Sequence, residues 1–175
     1  MNELERFTSL FNQQVLHTLA TLETVPLPLW QAVPADSDTN YLGARVNRIT
    51  IEALIKHLCQ AEQHWTKSLA TIQHGQMMGP PAGESPPQDL KPGLELLSQY
   101  RVVHRFNLNR VLALGSEDPK TELSFAGRRF TVMGFLWAMY GHHSYHFGQI
   151  DLLLRQQGHM PPKFLEYPER TRVIA

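Results

Sequence analysis

The chain has 175 residues, and its 16 Lys plus Arg balance 16 Asp plus Glu, so the formal net charge is zero. Neutrality argues against nucleic acid, whose binding depends on clustered cations, and against an anionic membrane surface. No run approaches the roughly 18 apolar residues of a membrane span, and the one cysteine, Cys59, cannot close an internal disulfide, as expected in a reducing cytoplasm. The length fits one domain over 1–175. The first residues carry no apolar run, so no signal peptide is expected.

The predicted elements are four amphipathic helices. Residues 2–22 place Leu4, Phe7, Leu10, Phe11, Val15 and Leu19 at three- and four-residue steps, the period of a helix with one apolar face. A proline-bearing connection follows, with Pro26, Pro28 and Pro34. The second helix spans 50–73, with Thr50 as N-cap and Gly75 as stop. Its apolar face carries Ile51, Leu54, Ile55, Leu58, Trp65 and Leu69. Residues 75–93 hold too many prolines and glycines to be helix interior. The third helix, 93–114, presents Leu97, Tyr100, His104, Leu108 and Val111.

Residues 122–130 alternate around Ala126-Gly127, which predicts a small β-hairpin. The fourth helix, 131–157, stops at Gly158, and a tail with Pro161 and Pro162 completes 158–175. Four such helices imply an all-α helix bundle, and the long connections allow parallel neighbours.

Nine histidines are the unusual feature. Histidine is the commonest metal ligand. His142 and His146, four apart, project from one helix face one turn apart; His143 with His146 could do the same. The second helix offers His57 or His64 as a third ligand. Three histidines with open positions are a catalytic pattern for zinc. The zincin motif needs Glu at the position of His143. Di-iron bundles need Glu-x-x-His on two helices, which neither the second nor the fourth helix supplies.

The segment His57-Leu-Cys-Gln-Ala-Glu62-Gln-His-Trp65 resembles the second-helix pattern of DinB/YfiT-like metalloproteins. The segment His142-His-Ser-Tyr-His146-Phe-Gly148-Gln149, followed by Leu-Arg155-Gln-Gln-Gly158 and Pro161-Pro162, resembles their last-helix pattern. The resemblance implies a bundle of up-down-down-up topology. It also implies one divalent metal held by His57, His142 and His146, with His143 as a bystander. Zinc or nickel is the expected ion, with manganese or iron as further candidates. The family's frequent Arg after the last ligand is Phe147 here, which leaves the metal set intact and removes a contact for a substrate anion.

Characterised members are similar in using low-molecular-weight thiols, among them bacillithiol S-transferases and the mycothiol-dependent maleylpyruvate isomerase. The resemblance therefore implies an enzyme that uses a small-molecule thiol, activated at the metal, against a small electrophile. The alternative is a non-catalytic metal- or small-ligand-binding stress-response protein.

Gln149 and Glu62 are candidates for supporting the ligands, although for Glu62 a structural hydrogen bond is the favoured role. Cys59 reads as packed core, and so does Trp65, with lining a pocket as its second role. His17, His74, His104 and His159 read as solvated. Gly134, Gly141 and Gly148 recur every seven residues opposite the apolar stripe, at ~1 kcal/mol each relative to Ala. That pattern suggests close approach of another backbone, within the bundle or across a homodimer.

Overall fold

The computed structural model describes residues 1–34, 49–81, 90–115 and 117–161. Pro162, most of the tail and parts of both proline-rich connections lie outside the described residues. Four helices dominate: α1 (Glu3–Glu23), α2 (Ile51–Leu69), α3 (Leu94–Leu112) and α4 (Val132–Gln156). None of the described helices is long and apolar enough to cross a membrane.

Their ends follow from local chemistry. Asn2 and Glu5 form a reciprocal capping box at α1, with both hydrogen bonds 2.8 Å, which satisfies two donors the helix leaves open. Thr50 accepts from the Ala53 amide and Thr131 from the Gly134 amide. Gly158, at φ +73°, supplies the left-handed residue that ends many helices. Helix α2 is four residues shorter at its C-terminal end than the periodicity predicts. Gly75 stands beyond it, donating its N–H to the Glu122 carbonyl at 2.8 Å.

Side-chain pairings give the topology. Contacts between α1 and α4 advance together, from Phe7–Trp137 to Phe11–Tyr140 to His17–Phe147, so these helices run parallel. Helices α2 and α3 are also parallel, through Glu62–Tyr100 and Thr66–Asn107. The α2–α4 pairs run in opposite order, His57 with His146 and Trp65 with Phe135. So do Glu23–Arg101 and Phe11–His104 between α1 and α3. The bundle is therefore up-down-down-up, which the two long crossovers permit. Phe7, Phe11, Leu19, Leu22, Ile51, Leu54, Ile55 and Leu58 are at most 2% exposed. Each such side chain contributes about 1.5–3 kcal/mol by leaving water.

A small sheet caps one end. Strand β2 (Glu122–Phe125) pairs antiparallel with β3 (Arg128–Thr131), the hairpin expected from the alternation. Ala126 and Gly127 form its turn at φ +49° and +75°. Two positive values are what a tight hairpin turn requires, and Ala tolerates them less well than Asn would. Strand β1 (Gln76–Met77) adds in parallel to β2. At two residues it is too short to leave a periodic signal in the sequence.

The glycine stripe meets nothing inside the chain. A Cβ at Gly141 or Gly148 would have no neighbour within 4 Å, and one at Gly134 would meet only the Thr131 hydroxyl. Close backbone approach within the bundle is thus ruled out among the described residues. The stripe is solvent-facing, flanked by Tyr145 and Leu152, which are 61% and 57% exposed.

Candidate metal centre

His57 comes from the middle of α2, and His142 and His146 from successive turns of α4. Because the two helices are antiparallel neighbours, their facing stripes meet at this level. Each histidine offers one ring nitrogen, and the three lie within 4.8 Å of one another. His142 Nε2 is the hub, 3.1 Å from Nε2 of both His57 and His146. The rings cross at steep angles, 81° between His146 and each of the other two. The rings therefore do not stack, and their nitrogens are gathered into one cluster. His146 is buried, while His57 and His142 are half-buried.

One ring is oriented from behind. The Nδ1–H of His146 donates to Gln149 Oε1 at 2.6 Å, which leaves Nε2 with its lone pair toward the cluster. Fixing a ligand's tautomer through its other nitrogen is the usual second contact of metal-binding histidines. Burial holds the His146 imidazole below its ordinary pKa, opposed in part by the Gln149 bond. The neutral form is the one that binds metal. Trp65 packs edge-on against His142, ring centroids 4.8 Å apart.

Beside the cluster lies a pocket of about 330 Å³ that shares His142 as part of its wall. Trp65 of α2, Phe125 and Phe130 of the hairpin, and Phe135 of α4 line it. Sequence reasoning offered Trp65 as a pocket-lining residue only as its second role, and missed the share of the hairpin and Phe135 in these walls. The available signal was the hairpin alternation, which puts Phe125 and Phe130 on one face but cannot say what that face covers.

The DinB family model matches residues 25–171. The chain belongs to the DinB family. A crystal structure of a DinB-like protein (YjoA) from Bacillus subtilis has a similar fold, with a TM-score of 0.62 at 19% identity, covering 88% of this chain and 92% of that one. No curated protein matches the chain.

Within this DinB bundle, the remaining candidates fall elsewhere. Glu62 is 2% exposed and faces α3, away from the three histidines. It accepts from Tyr100 Oη at 2.8 Å, His104 Nδ1 at 2.8 Å and Asn107 Nδ2 at 3.0 Å. Burial alone would raise its carboxyl, but the nearby His104 and these three hydrogen bonds hold it below the usual value. Its role is the structural one. His104, expected in solvent, is 2% exposed instead. Its position in the Leu97, Tyr100, His104 periodicity puts it in the core, where Glu62 compensates its burial. His17 is half-buried against Phe147 rather than solvated.

His143 is buried as well. It points to α1, meeting Thr18 Oγ1 at 3.0 Å, and burial lowers its pKa to about 3. His64 faces the β1 connection, with Nε2 3.2 Å from the Gly79 carbonyl. Phe147 is buried against His17 of α1, on a different side of α4 from His142 and His146. Cys59 is fully buried in the core, and burial, then the Glu62 charge, pushes its thiol well above the ordinary value.

Proposed function

We propose that His57, His142 and His146 hold one divalent metal ion, and that this site acts on a small-molecule thiol and a small electrophile. The observation that carries the reading is the convergence of the three ring nitrogens within 4.8 Å. The donor set fits such an ion. Two nitrogens each ~2.0–2.1 Å from zinc at a tetrahedral angle lie about 3.3 Å apart, close to the 3.1 Å separations from His142. Imidazole donors suit zinc and nickel, with iron also compatible; manganese is the fourth candidate. Three protein ligands leave a position for a small molecule.

Held by these three histidines, such an ion would lower the pKa of a thiol bound at its open position, so that the thiol would give its proton to solvent and be present as a nucleophilic thiolate at neutral pH. The chain's own groups would hold the geometry. Gln149 sets the tautomer of His146, and Trp65 packs the ring of His142. The aromatic pocket gives an electrophile a water-poor place beside the cluster. S-transfer and thiol-dependent isomerisation both fit this layout. The reading places the protein in the cytoplasm, where such thiols stay reduced.

The test is consumption of a low-molecular-weight thiol with a haloarene electrophile, with and without added metal. The reading predicts a metal-dependent rate that His146→Ala abolishes. Equal rates for the two proteins would contradict it. One observation favours a second reading, a non-catalytic binding module. Among the described residues no carboxylate joins the histidines, and Glu62 is committed to three donors on α3. Stoichiometric metal without turnover would support that module.

A further inference from the structure

The pocket beside the histidines has a chemistry of its own. In a hairpin, residues directly opposite share a face, and alternate residues along each strand share it too. The register pairs Phe125 with Arg128 and Leu123 with Phe130, so these four side chains lie on the face turned to α4. Ser124, Arg129 and Glu122 lie on the other. The two adjacent arginines therefore differ in kind. Arg129 is paired with Glu122 at 2.6 Å. Arg128 is exposed in the pocket wall, and among the described residues it makes no side-chain hydrogen bond or ion pair.

The walls form an aromatic cage. Phe135 meets Trp65 at 5.6 Å, Phe125 at 5.2 Å and Phe130 at 5.7 Å between ring centroids, at 70–90°. Edge-to-face contacts of this kind hold rings in fixed places. Among the described residues no acidic side chain lines the space, so the formal charge of this wall is that of Arg128, with His142 also in the lining. Its volume of about 330 Å³ sits at the small end of the range for ligand pockets.

We propose that this pocket binds an aromatic carboxylate, with its ring in the cage of Trp65, Phe125, Phe130 and Phe135 and its carboxylate on Arg128. The planar guanidinium fork matches a carboxylate in two parallel hydrogen bonds. Arg128 thereby selects the charge of the ligand and the cage selects its flatness. The inference rests on the metal reading only in taking the His142 end as the reacting end; binding itself does not need the ion.

The experiment is calorimetric titration of the full chain with 2-naphthoate, 2-naphthylmethanol and 2-naphthylmethylamine, after chelation and after zinc loading. In both states the acid should bind at least ~10-fold more tightly than the alcohol, the size of one charge-assisted contact. Arg128→Gln should erase that advantage and leave the alcohol unchanged. Arg128 is exposed, so the variant should keep its thermal unfolding midpoint. Phe125→Ala should weaken acid and alcohol alike. Acid binding indifferent to Arg128→Gln would overturn the proposal, as would an amine that binds as tightly as the acid. Acid binding seen only after zinc loading would also overturn it, by placing the carboxylate on the ion. If zinc fails to load while the acid still depends on Arg128, the pocket assignment stands and the metal reading falls.

Discussion

At the residue scale, the difference between Gln149 and Glu62 shows how a candidate's role depends on which neighbour its helix face meets. Both stood near the histidines in sequence. Gln149 is three residues after His146, so it lies on the same side of α4 and reaches that ring. Glu62 is five residues after His57, which turns it toward α3 and a cage of donors. Gln149→Ala should therefore weaken metal affinity by about 10–100-fold while leaving the fold intact, measured by competition with a chromogenic chelator. An unchanged affinity would remove Gln149 from the site.

Glu62 should instead govern stability. Its carboxyl is held below the ordinary value of about 4.3, so its contribution is complete above that pH and is lost as pH falls through the lowered folded value. Glu62→Gln should cost about 1–3 kcal/mol near neutrality, and the gap to the parent should close below about pH 4 as the parent carboxyl protonates. Urea denaturation across pH 3–7 reads this; a constant gap would contradict it. The pair His142 and His146 was legible because four residues make one helical turn. The third ligand was not legible from spacing, which left His57 and His64 both open; motif resemblance pointed to His57. The packing of α2 on α4 brings His57 across, while His64 turns to the Gly79 carbonyl.

At the element scale, α4 carries two different faces. One brings the histidines to α2, and the other presents Gly141 and Gly148 to solvent. The seven-residue glycine spacing was visible in the sequence, but an unpartnered stripe and a packed one read alike there. Because a Cβ at Gly141 meets nothing within 4 Å, Gly141→Leu should raise helix stability by up to ~1 kcal/mol in an isolated chain. A homodimer through this face predicts that the same change lowers the mass found by sedimentation to that of one chain. An unchanged dimer would show that the stripe is not the interface. The hairpin was legible from alternation around Ala126-Gly127. The parallel β1 was not, because two residues carry no period.

At the scale of the whole molecule, topology makes the site. Amphipathic periods alone gave four helices and a bundle, with parallel neighbours merely allowed by long crossovers. The up-down-down-up arrangement came from motif resemblance, and the paired contacts along α1–α4 and α2–α3 now display it physically. That arrangement sets α2 antiparallel to α4, which is what lets a mid-helix histidine from one meet a histidine pair from the other. The same end of the bundle receives the hairpin, so an aromatic pocket and the cluster share His142. The central claim is that this junction holds a metal ion. The most direct measurement is elemental analysis of the protein purified without a histidine tag and supplemented with zinc, nickel, manganese or iron. The account predicts one ion per chain in the parent and a large loss of it in His146→Ala. Absence of stoichiometric metal from the parent under every supplement would contradict it.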